Sequence, residues 1–99
     1  MTITGAGGVV ITQIAFSEKF QKQFQKLPPE IQELVPKKLT DLKKQPFPAG
    51  LKFEKLKGYR RPDIYTIHVT GNYKISFEIV GNLAQLRCVG NHDTIDRSP

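Results

Sequence analysis

The chain has 99 residues, enough for one domain and too few for two. Its 15 lysines and arginines outnumber its 9 aspartates and glutamates, and the resulting charge of +6 points to a polyanion, nucleic acid foremost, or to an acidic protein partner. The single cysteine excludes an internal disulfide and suits a reducing cytoplasm, no apolar run reaches the ~18 residues of a membrane span, and MTITGAGGVV lacks the basic start and long apolar run of a signal peptide.

Residues 1–8 read as a flexible lead-in to a single domain that takes up the rest of residues 1–99. Residues 9–15 (VVITQIA) are β-branched and predict a strand. Ser17 is a candidate helix cap, with Glu18 suited to the positive first turn. Phe16, Phe20, Phe24 and Leu27 follow at helical spacing and predict a core-facing stripe. Leu27-Pro28-Pro29 ends that helix, and Pro29 suits the first position of a second. The second helix presents Ile31, Leu34, Val35, Leu39 and Leu42 on one side and Lys37, Lys38, Lys43 and Lys44 toward the other. Pro36 removes one backbone donor there and predicts a kink. Residues 45–50 (QPFPAG) predict a turn.

Beyond the turn the apolar period changes from helical to two. Strands are expected near residues 53–57, 64–69, 73–80 and 84–89, with turns at 58–62, 70–72 and 81–82. The whole predicts an α+β fold: an N-terminal strand, two helices, then a three- to four-stranded antiparallel meander, the helices on one sheet face. A three-residue loop at Thr70–Asn72 pairs Ile67 with Ile75 and Tyr65 with Phe77, whereas a two-residue loop would put the apolar sets on opposite faces. The tight Gly81-Asn82 turn then pairs Ile79 with Ala84, Phe77 with Leu86 and Ile75 with Cys88, which makes Cys88 core filling. The opposite face collects Thr66, His68, Lys74, Ser76, Glu78, Gln85 and Arg87, with His68 opposite Lys74 and Ser76 opposite Arg87. Antiparallel sheets often leave such a face to solvent, and this one is expected to be open. Past Val89, expected opposite Lys74, the chain runs through Gly90 and Asn91 and brings His92 and Asp93 to the edge of that basic face. An imidazole there is a candidate acid or base, with Asp93 or a backbone group to orient it.

The segments AFSEKFQKQFQKLPPEIQ, GLKFEKLKG, IYTIHVTGNYKISFEI and LRCVGNHDTID, in this order and spacing, resemble the RelE/ParE toxin superfamily of bacterial toxin–antitoxin systems. NYKISFEI and NHD look most like its RelE and HigB side, whose members cut messenger RNA on the ribosome. The resemblance implies a RelE-like fold, a metal-free endoribonuclease without cofactor, a cytoplasmic setting, a cognate antitoxin as partner, and mRNA and ribosome as targets, with no role for a membrane. It implies catalytic roles for Glu54, Lys74 and His92, matching a carboxylate base, the arginine of a "YR" motif and a C-terminal histidine or tyrosine. His68 falls where many members have arginine. Lysine at position 74 keeps the charge without the bidentate fork, and a neutral His68 loses the charge too.

On this reading Glu54 or His92 takes the 2′-hydroxyl proton, and His92 is the favoured acid for the leaving 5′-oxygen. Lys74, Arg87 and Lys57 stabilise the phosphate, Lys55, Arg60, Arg61 and His68 add RNA contacts, and Tyr73 or Tyr59 stacks on a base. The sequence carries no cysteine–histidine cluster or carboxylate pair at metal-ligand spacing. A non-catalytic, ParE-like inhibitor of DNA gyrase, a weakened RelE-like ribosome binder and an RNA-binding domain without chemistry remain the alternatives.

Overall fold

The structure, a computed structural model, describes residues 10–44, 47–60 and 63–99, with the backbone alone at 57–60. The expected lead-in and residues 45, 46, 61 and 62 of the expected turns lie outside the described residues. The chain order is β1 (Gln13–Phe16), α1 (Glu18–Gln25), α2 (Pro29–Leu42), a single 3-10 turn (Ala49–Leu51), β2 (Glu54–Arg60), β3 (Asp63–His68), β4 (Tyr73–Val80), β5 (Leu83–Asn91) and α3 (His92–Arg97). No described helix is long and apolar enough to cross a membrane.

The strands form a five-stranded sheet in the order β1-β5-β4-β3-β2. β2 to β5 are the expected meander, and β1 lies parallel to β5, with Gln13 opposite Leu83 and Phe16 opposite Leu86. Beyond Leu86 the outer edge of β5 would present unpaired backbone groups, which burial makes costly. α1 supplies the partners. The Ser17 hydroxyl donates to the Arg87 carbonyl at 3.2 Å while accepting from Phe20 N, so one side chain caps the helix and closes the sheet edge. The Gln23 side-chain oxygen accepts from Val89 N at 3.0 Å. Gln32 of α2 in turn donates to the carbonyls of Phe24, Gln25 and Leu27, tying the end of α1 to its neighbour.

α1 and α2 cover one face of the sheet, as expected. Phe20, Leu27, Ile31, Val35, Leu39 and Leu42 meet Ile67, Ile75, Phe77, Leu86 and Val89 in one buried cluster. Each large side chain removed from water there contributes about 1.5–3 kcal/mol against the entropy of ordering the chain. α2 runs through Pro36, which sits on the exposed side, where solvent can reach the carbonyl left without a donor. Phe16 departs from the expected stripe. It ends β1 instead of joining α1, and it remains 53% exposed.

The β3–β4 hairpin has the expected register, Tyr65 opposite Phe77, Ile67 opposite Ile75 and His68 opposite Lys74. The β4–β5 hairpin starts as expected, with Ile79 opposite Ala84 and Phe77 opposite Leu86, and then slips at a bulge. Ser76 pairs with Cys88, Ile75 with Val89 and Lys74 with Gly90, so Arg87 is the extra residue. The slip exchanges faces: Val89, not Cys88, enters the main core, and the expected pairings Ile75–Cys88, Ser76–Arg87 and Lys74–Val89 do not form. Cys88 is buried nonetheless, on the other face.

That other face is not open. α3 folds back over it and anchors on Ile95, which is fully buried and meets Gly90. Ile64, Thr66, Ser76 and Cys88 are buried on the same side of the sheet. The Thr66 and Ser76 hydroxyls, opposite one another on β3 and β4, have no hydrogen-bond partner among the described residues.

Candidate active site

Three strands and the short helix converge on one ammonium group. Lys74 points from β4 toward α3, and only 5% of its side chain is exposed. An isolated buried ammonium is expensive, so it needs counter-charges. Asp96 Oδ1 accepts from Lys74 Nζ at 3.0 Å. Glu54, from β2, stands at 3.7 Å on another side of the same nitrogen, with its own side chain 57% exposed.

His92 is held at both backbone and ring. Its N–H donates to the Asn72 carbonyl at 2.6 Å, which fixes the start of α3 to the β3–β4 turn. Asn91 caps the helix by accepting from Thr94 N. One helical turn further on, Asp96 Oδ2 lies 3.1 Å from His92 Nδ1, whereas Asp93 lies 3.8 Å away and projects into solvent. The His92 side chain is 47% exposed. The His68 ring, opposite Lys74 on β3, stands edge-on to that of His92 with 6.2 Å between centroids. Burial, the Lys74 charge and His92 together hold the His68 imidazole below its ordinary pKa, and Glu54 opposes them. His68 is therefore neutral at pH 7 and acts as a hydrogen-bonding group, not as a charge.

The arrangement is a chain of contacts, Glu54–Lys74–Asp96–His92, with His68 alongside. It offers an exposed carboxylate and an imidazole with one ring nitrogen engaged, on either side of a fixed positive charge. Such a set can accept a proton at one point and deliver one at another.

Solved structures of similar shape bear on what this chain is. It is similar to the RelB–RelE antitoxin–toxin complex of Methanococcus jannaschii, with 26% identity, a TM-score of 0.66, and 86% of this chain and 99% of that chain covered. The DinJ–YafQ toxin–antitoxin complex of Escherichia coli aligns at 18% identity and a TM-score of 0.69 over 87% of this chain and 98% of that one. The RelBE2 toxin–antitoxin complex of Mycobacterium tuberculosis aligns at 19% identity and a TM-score of 0.66 over 84% and 93%. This chain has the RelE-like toxin fold. No protein-family model matches it, and no curated protein matches it in sequence.

Within the RelE-like sheet the expected site residues divide. Glu54, His68, Lys74 and His92 meet. Arg87 does not, since its guanidinium pairs with Glu78 and its Nε donates to the Pro99 carbonyl at 3.2 Å. Tyr73 lies on the helical face, packed against the main core and away from the cluster. Lys55 is exposed and lies 3.5 Å from Asp63. Lys57 and Arg60 belong to β2, though their side chains, like that of Tyr59, lie outside the description, and Arg61 lies wholly outside it.

Asp96 was missed. The signals for it are Asn91 as a cap, Asp93 in a first turn, Arg97 in a last turn, and the His92/Asp96 spacing of four that puts both on one side of a helix. With no helix expected past Asn91, none of these signals stands out.

Proposed function

We propose that this chain is the toxin of a toxin–antitoxin system and cleaves messenger RNA on the ribosome by attack of a 2′-hydroxyl on the adjacent phosphate. The observation that carries the reading is the Glu54–Lys74–His92 cluster on a RelE-like sheet, beside the likeness to three toxin–antitoxin complexes. Glu54, or His92 in its neutral form, takes the proton from the 2′-oxygen. That oxygen bonds to phosphorus, the bond to the 5′-oxygen breaks, and His92 gives a proton to the leaving oxygen. The products are a 2′,3′-cyclic phosphate and a free 5′-hydroxyl. The fixed Lys74 charge lies under the phosphate and stabilises the negative charge that grows on it. Lys55, with the basic residues Lys57, Arg60 and Arg61 that follow it in the sequence, engages the flanking backbone. An acidic antitoxin segment suits a +6 body, and ribosome-dependent cleavage places the activity in the cytoplasm.

Mapping of message 3′ ends in a purified translation reaction tests this. New ends inside the reading frame are expected only with ribosomes. His92→Ala should remove them, a loss of roughly 10²-fold or more, while leaving the fold intact. Full cleavage by His92→Ala would overturn the assignment. An intact message with the unaltered chain would turn the reading to a non-catalytic, ParE-like inhibitor of gyrase, for which Glu54, Lys74 and His92 are dispensable to toxicity.

A further inference from the structure

We infer that Asp96 is the positioning residue of this site, its carboxylate holding the Lys74 ammonium with one oxygen and the His92 ring with the other. The role rests on the endoribonuclease reading and adds to it the element that couples charge and proton transfer. Asp96 is the described carboxylate that touches both groups, at 3.0 Å and 3.1 Å. None of the other charged or titratable groups around His92 does both jobs. Asp93 lies 3.8 Å from the ring and is solvated, Glu54 approaches Lys74 only, and His68 meets the His92 ring edge-on.

On this inference the Asp96 oxygen 3.1 Å from Nδ1 is its acceptor, so neutral His92 carries its hydrogen on Nδ1, which leaves the Nε2 lone pair for the substrate. When His92 is protonated, Nε2–H becomes the donor to the leaving oxygen. The same carboxylate stops Lys74 from drifting, because the two contacts share one rigid planar group. Asp96 is 38% exposed at its side chain, so a merely structural pairing with Lys74 would be partly replaced by water. A positioning role would not be, since water does not fix a tautomer.

Asp96→Asn separates the two. Its carbonyl oxygen can stay on Lys74, which donates only, and its amide then turns two hydrogens toward His92 Nδ1. Neutral His92 should respond by moving its hydrogen to Nε2. Nitrogen-15 shifts of the imidazole in labelled protein read that change directly, with or without RNA. Cleavage by Asp96→Asn should fall roughly 10²-fold or more in kcat with little change in KM, and Asp96→Glu should restore part of it. An Nε2–H tautomer in the unaltered protein, or no change in Asp96→Asn, overturns the inference. So does a shifted tautomer with undiminished cleavage. If the unaltered chain cleaves nothing, the endoribonuclease reading fails and the positioning role of Asp96 fails with it, whereas loss confined to the Asn variant leaves both standing.

Discussion

His68 sits where the sheet turns a titratable group into a neutral one. Its folded pKa lies below the ordinary 6.5, mainly through burial and then through Lys74 and His92. Between those two values the unfolded chain binds a proton that the folded chain refuses. The contribution is therefore fully present above pH 6.5 and is lost as pH falls from there toward the folded value. His68→Gln removes this proton linkage. Urea unfolding between pH 7.5 and 5 should show a smaller acid loss in the variant than in the parent, and equal losses would refute the account. The closeness of His68, Lys74 and His92 was legible because period-two alternation and a three-residue loop fix which residues face each other. Asp96 was not, because its role needs a helix that no apolar stripe announces: Ile95 is its one buried residue.

At the scale of elements, turns carry the information and bulges withhold it. Gly81 has φ 63°, a left-handed conformation in which a side chain meets the following carbonyl. Asn82 beside it accepts from Thr12 N and donates to the Val10 carbonyl, so this turn also anchors the approach to β1. Gly81→Ala should cost about 1–2 kcal/mol in urea unfolding. Gly71→Ala, where nothing lies within 4 Å of the new methyl and φ is not positive, should be close to neutral; equal costs would refute the distinction. The bulge at Arg87 was illegible for a definite reason. Cys88 and Val89 are adjacent and both apolar, so alternation from Leu86 selects Cys88 for the core, and only three-dimensional packing reveals Val89 there. The same adjacency explains why both are buried, one on each face.

Across the whole molecule the sheet is covered twice, by α1 and α2 over the large core and by α3 over a smaller patch. The first layer was legible in the spacing of Phe20, Ile31, Val35 and Leu39. The second was not, and the expected open basic face is covered at the end where Lys74 answers to two carboxylates. The parallel pairing of β1 with β5 joins Gln13 to Leu83, across most of the chain, whereas the other described strand pairs join sequence neighbours. Closing so long a loop is entropically late, so the order of folding events differs from the order of the sequence. The local hairpins, which carry Glu54, His68 and Lys74, can reach the transition state before β1 arrives. Ile14→Ala should therefore speed unfolding with little effect on the folding rate, and a slowed folding limb in stopped-flow would show the reverse order. The first strand then acts as a latch: it sets how long the molecule lasts once made, and leaves how quickly it forms to the hairpins.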